Sequence, residues 1–205
     1  MRKDQIIARM FTTRVMGIVR CNSIDRAREI VRGCLAGGVD IIELSLNSPD
    51  ALTMICTLKS EFGNRLVLGA GTVLDVIDAK LALNSGADFI IAPNFDIGVA
   101  RICNREQIPY CPGCTSISEI IEAAEYGATL IKLFPASNFW GPNAVKVINT
   151  PLPKVPIMAS GGVNLDNVDF WRDAEVAVCG VGGVLTQGSE ELIKQNASAL
   201  VAALH

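Results

Sequence analysis

Short apolar runs alternate with segments of helical period from one end of the chain to the other. A polar helix over residues 3–11 precedes a first strand, Val15–Arg20. Ser23 then offers an N-cap for a helix that stops at Gly37-Gly38. Val39–Ser45 is the second strand, and its helix is expected to be capped at Ser48, with Pro49 in the first turn, and to run to Gly63. Leu66–Ala70 is the third strand, followed by Gly71-Thr72 and a helix to Gly86. Asp88–Pro93 leads into a helix ending near Asn104, and Pro109–Gly113 makes a short fifth strand. Ser116-Ile117-Ser118-Glu119 fits a capping box for the helix that follows. Thr129–Ala136 is the sixth strand, with a brief return over residues 141–149. Val155–Ser160, closed by Gly161-Gly162, and Val176–Gly180, closed by Gly182-Gly183, complete the strands, and a last helix covers 189–203.

Ala36-Gly37-Gly38-Val39, Ser85-Gly86-Ala87 and Tyr126-Gly127-Ala128 share one form: a helix end, a glycine and a new strand. This is a weak internal repeat. Eight strands, each followed by a return segment, predict a single (β/α)8 barrel of the α/β class over residues 1–205, with an N-terminal helix. An open doubly wound sheet would want a glycine-rich fingerprint after the first strand, where Arg20-Cys21-Asn22-Ser23 stands instead.

Composition narrows the function. Half of the 205 residues are hydrophobic and 19% are charged, which suits strands covered on both faces. The net charge is −3 and no basic run occurs, so neither nucleic acid nor an anionic membrane is an expected partner. No stretch approaches membrane-spanning length, and the first residues lack a signal-peptide core, so a cytoplasmic location is expected. Seven cysteines scattered through apolar segments read as reduced thiols rather than a disulfide framework. Cys111-Pro112-Gly113-Cys114 has dithiol spacing, but the only histidine is His205, so a zinc site lacks its other ligands. A histidine-based triad or metal centre is likewise excluded; no metal or cofactor is called for, and the chemistry must use Lys, Glu, Asp, Arg, Tyr or Cys.

Lys132 is the anomaly. It stands alone in Leu130-Ile131-Lys132-Leu133-Phe134, and a lone ammonium in a buried strand is costly unless it is paired, deprotonated or used. Desolvation favours the neutral form of an amine, which is a nucleophile towards carbonyls. Glu43, inside Ile41-Ile42-Glu43-Leu44, is the one other charge set in an apolar run at a strand end. The two could be a structural ion pair. They are also what imine chemistry requires, an amine that condenses with a ketone and a carboxyl that moves protons. Gly161, Gly162, Gly182 and Gly183 follow the seventh and eighth strands, where barrels often bind phosphate on backbone N–H groups. Arg20 and Thr72 at the same mouth would suit a substrate carboxylate. Pro93, Phe134 and Ser160 occupy further strand ends.

Taken in order, these motifs resemble those of the 2-keto-3-deoxy-6-phosphogluconate / 4-hydroxy-2-oxoglutarate aldolases. The matching stretches are Gly37-Gly38 to Ile42-Glu43, Gly69-Ala70-Gly71-Thr72-Val73-Leu74, Pro93, Cys111-Pro112-Gly113, Ile131-Lys132-Leu133-Phe134-Pro135-Ala136 and Ser160-Gly161-Gly162-Val163. The resemblance implies a trimeric class I aldolase that cleaves a 2-keto-3-deoxy acid into pyruvate and an aldehyde. Lys132 would form the imine and Glu43 would be the acid/base; Thr72 would contact the pyruvyl carboxylate, Phe134 would pack near the imine, and the glycine pairs would lie at the phosphate end. Asn47 stands where gluconate-type members have arginine, and Leu46-Asn47-Ser48-Pro49, Pro93-Asn94 and Arg20 look more like the 6-phosphogalactonate branch. Val184 follows the second glycine pair where a serine is common, which leaves an unphosphorylated substrate open. A non-catalytic phosphometabolite-binding barrel and a metal-assisted enzyme on the same fold are the other readings.

Overall fold

The computed structural model describes all 205 residues. Its strands are β1 (Val15–Val19), β2 (Ile41–Ser45), β3 (Val67–Gly71), β4 (Ile90–Ile91), β5 (Tyr110–Cys111), β6 (Gly113–Cys114), β7 (Ile131–Leu133), β8 (Ile157–Ser160) and β9 (Val178–Val181). Every pairing is parallel, in the order β5-β4-β3-β2-β1-β9-β8-β7-β6. The two ends of that order are one stretch of chain, separated only by Pro112. The Cys111 carbonyl accepts from Ala92 N–H on one side (3.3 Å), and the Pro112 carbonyl accepts from Lys132 N–H on the other (2.9 Å). With β5 and β6 counted as one interrupted strand, the sheet closes into the expected eight-strand barrel.

The helices are α1 (Lys3–Thr13), α2 (Ile24–Ala36), α3 (Ala51–Phe62), α4 (Val76–Asn84), α5 (Ile97–Arg105), α6 (Ile117–Glu125), α7 (Pro142–Asn149), α8 (Val168–Asp173), α9 (Gly183–Thr186) and α10 (Glu190–Leu204). Ser23 caps α2 by accepting from Arg26 N–H (3.2 Å), and Ser116 with Glu119 forms the capping box of α6. Ser48 does not cap α3. Its side chain is buried and accepts the Cys21 N–H (3.3 Å), tying two loops at the barrel mouth, and Asp50 in a left-handed conformation precedes the helix instead.

The repeated exit is a Schellman turn. Gly38, Gly86 and Gly127 all have positive φ, and the next residue's N–H reaches back to Cys34, Ala82 and Ala123 (2.8, 3.1 and 3.0 Å). Two further helices end the same way without glycine. Gln107 and Glu175 adopt φ of 57° and 62°, and Ile108 and Val176 reach back to Cys103 and Trp171.

Strand parity decides what faces the barrel axis, because alternate side chains point to opposite faces. An inner cluster of Met16, Ile41, Val67, Phe89, Ile91, Cys111, Leu130, Met158 and Val178 fills the lower barrel, and Ile6 and Met10 of α1 close it from below. The larger cluster, 51 residues, lies between the strands and the outer helices. Cys111 belongs to the inner cluster and Cys114 to the outer, so the two thiols lie on opposite faces of the sheet and form no dithiol. Two residues above the apolar plug, the same parity brings Glu43, Lys132 and Ser160 inward; two further on come Arg20, Pro93, Phe134, Gly162 and Gly182.

Candidate active site

A cavity of about 590 Å³ opens above the plug at the C-terminal ends of the strands. Its lining contains each residue proposed from the sequence as catalytic or substrate-binding: Arg20, Glu43, Thr72, Pro93, Lys132, Phe134, Ser160, Gly161, Gly162, Gly182 and Gly183. Asn47 and Asn94 do not line it and are exposed.

Lys132 and Glu43 are almost fully buried, at 7% and 2% exposure. Lys132 Nζ lies 4.0 Å from Glu43 Oε2, too far for a direct hydrogen bond, and Oε2 has no hydrogen-bond partner. Burial raises the proton affinity of the Glu43 carboxyl above that of an ordinary glutamate, against the opposing fields of Lys132 and Arg20. Lys132 Nζ also sits 5.2 Å from the centre of the Phe134 ring, within cation–π range.

Glycines make room for the Glu43 carboxylate and for the top of the apolar plug beneath it. A Cβ on Gly71 would stand 1.8 Å from Glu43 Oε1, and one on Gly180 would stand 2.4 Å from Met158 Cε. Gly71 stands at a strand end in the sequence, but nothing there distinguishes a glycine that makes room from one that turns the chain.

At one side of the mouth a polar relay joins three elements. Ser45 Oγ and Thr72 Oγ1 share a hydrogen bond of 2.9 Å, and Arg20 Nη2 approaches Ser45 Oγ at 3.5 Å. Thr72 has φ of +60°, a left-handed conformation that is rare for a β-branched residue and costs about 1–3 kcal/mol. Ser45 is a strand-end residue to which the sequence assigns no role, and its contact with Thr72 supplies one. On the other side, the N–H groups of Gly162, Val163, Gly182 and Gly183 donate to no protein acceptor. Four free amides around one cavity form a place for an anion. No cluster of three or more His, Cys, Asp or Glu side chains is placed to hold a metal ion.

Residues 6–204 match the profile of the KDPG and KHG aldolases. The chain belongs to that family. It is therefore a lyase. A curated relative, the 2-dehydro-3-deoxy-6-phosphogalactonate aldolase of Escherichia coli K12, is 33% identical over 192 residues, covering 92% of this chain and 93% of the relative. A solved native KDPGal structure superposes with a TM-score of 0.87 at 33% identity, covering 92% of this chain and 93% of that one. The KDPG aldolase of Legionella pneumophila, solved with pyruvate captured as a covalent carbinolamine, is 26% identical with a TM-score of 0.80, covering 98% of this chain and 96% of that one. No helix is long and apolar enough to cross a membrane.

Proposed function

We propose that the protein is a class I aldolase that reversibly cleaves a 2-keto-3-deoxy phosphosugar acid into pyruvate and an aldehyde such as glyceraldehyde 3-phosphate, with Lys132 as nucleophile and Glu43 as acid/base. The observation that carries this reading is the buried Lys132 amine 4.0 Å from a carboxyl of raised proton affinity, beneath four free amides. The amine adds to the C2 ketone to give a carbinolamine, which loses water to form an iminium. Glu43 removes the C4 hydroxyl proton; the C3–C4 bond breaks, the aldehyde departs and the electron pair is held as an enamine. Protonation at C3 and hydrolysis release pyruvate and the free lysine. The gap of 4.0 Å is bridgeable by one hydroxyl or water, so the carboxyl reaches each proton through the substrate or a solvent molecule.

Arg20, with Thr72 held by Ser45, would clamp the pyruvyl carboxylate, and a guanidinium from β1 would do the work of the arginine absent at Asn47. Phe134, Pro93 and Ser160 shape the walls beside the imine. Gly161, Gly162, Gly182 and Gly183 bring backbone N–H groups to the phosphate. Val184 lines this end without a hydroxyl, which supports a second reading, a 4-hydroxy-2-oxoglutarate-type substrate with no phosphate.

The whole chain serves as one catalytic domain and needs no cofactor. The homotrimer implied by the family resemblance is supported by Phe139, Val147 and Phe170, which are 80%, 68% and 63% exposed and would be covered by a second copy. Seven free thiols suit the reducing cytoplasm. The central test is incubation with pyruvate, borohydride reduction and mass measurement. One adduct on Lys132, abolished in Lys132→Ala together with turnover, supports the mechanism; undiminished cleavage by Lys132→Ala overturns it.

A further inference from the structure

Ser137 and Asn167, which line a second cavity of about 450 Å³ that shares no lining residue with the substrate cavity, both contact the Gly161-Gly162 turn. These two residues grip the turn from the rear. The Ser137 N–H donates to the Gly161 carbonyl (2.9 Å), and Asn167 Nδ2 donates to the Gly162 carbonyl (2.8 Å). Asn167 Oδ1 accepts the Asn164 N–H (2.9 Å), so the side-chain amide is fixed at both ends. In a planar trans peptide the carbonyl and the following N–H point in opposite directions. Drawing the two carbonyls back therefore turns the Gly162 and Val163 N–H groups forward, toward the cavity that both residues line. Gly161 and Gly162 have φ of +96° and +83°, and a Cβ on Gly162 would meet Ser137 Cβ at 2.5 Å, so only glycine fits this arrangement.

Asn167 does not cap α8. It occupies the N-cap position of α8, where an asparagine side chain ordinarily accepts an N–H from the first helical turn, yet it makes no capping hydrogen bond. Its amide is committed to the glycine turn instead. Both contacts are short in sequence, three residues to Asn164 and five to Gly162, so one side chain braces the whole turn.

We propose that Asn167 is a positioning residue for the anionic end of the substrate: by holding the Gly162 carbonyl it fixes the Gly162–Val163 peptide plane and presents the Val163 N–H to the phosphate. This rests on the phosphate-binding reading above. Ser137 contributes through its backbone, so Asn167 is the member of the grip that a side-chain substitution removes.

The test compares a phosphorylated 2-keto-3-deoxy sugar acid with its unphosphorylated counterpart. Asn167→Ala should raise KM for the phosphorylated acid about three- to tenfold, the loss of one charge-assisted hydrogen bond, with kcat little changed. The unphosphorylated acid and pyruvate trapping on Lys132 should be unaffected, which also reports an intact fold. Asn167→Asp keeps the acceptor for Asn164 and loses the donor while ionised. At about pH 7 to 8 its KM penalty on the phosphorylated acid should equal or exceed that of Asn167→Ala, because a carboxylate cannot donate to the Gly162 carbonyl and repels it. Equal losses on both substrates, no loss on either, or an Asn167→Asp variant that keeps the wild-type KM for the phosphorylated acid would overturn the proposal. A wild type that does not favour the phosphorylated acid would overturn the phosphate reading itself, before any variant is made.

Discussion

Gly71→Ala isolates the space that glycine leaves for the Glu43 carboxylate. Gly71 does not have positive φ, so alanine is free to adopt its backbone conformation, and the effect of the substitution is steric. The new methyl would stand 1.8 Å from Glu43 Oε1, 2.4 Å from Cδ and 2.5 Å from Cγ. Even a tight contact of about 3.0 Å requires the carboxylate to retreat by roughly 1.2 Å. Displacing a catalytic group by about 1 Å costs on the order of 100-fold in rate, or about 2.7 kcal/mol of barrier. Retro-aldol kcat should fall by that amount in a coupled pyruvate assay, while borohydride still traps pyruvate on Lys132, since the methyl's three nearest contacts all belong to Glu43. A double-mutant cycle assigns the cause. If the methyl acts through Glu43, adding Gly71→Ala to Glu43→Gln costs almost nothing further. A single Gly71→Ala variant within threefold of wild-type kcat, or additive losses in the cycle, would refute the reasoning.

Two other consequences concern stability. Because the folded Glu43 carboxyl has its pKa raised by burial, the folded state binds its proton more tightly than the unfolded chain, and stability contributed by this group falls as pH rises through the carboxylate range. Glu43→Gln should therefore match wild type in Tm near pH 4 and exceed it at neutral pH; a Tm difference independent of pH would contradict this. Glu175 holds the left-handed place that Gly38, Gly86 and Gly127 hold elsewhere, so Glu175→Gly should stabilise by about 0.5–1 kcal/mol. The converse, Gly86→Ala, meets only Lys59 carbons at 3.7 Å or beyond, so its cost of about 1 kcal/mol comes from φ alone; urea titration reads both.

The chain by itself determined the barrel, because apolar runs, helix stops and capping residues are local signals, and eight of them in alternation admit few topologies. It also determined Lys132 and Glu43, since a charge inside a buried strand stands out wherever its neighbours lie in space. Where a side chain's partner is remote, local pattern was silent or misleading. Ser48 looks like a helix cap and instead accepts from Cys21, 27 residues away, and Ser45 meets Thr72, also 27 residues away. Only the closed barrel decided these. Closure sets strand parity around one axis, and parity selects which polar groups meet in the cavity. It also fixes the 4.0 Å between amine and carboxyl, a distance between residues 89 positions apart (132 − 43) that no local pattern carries.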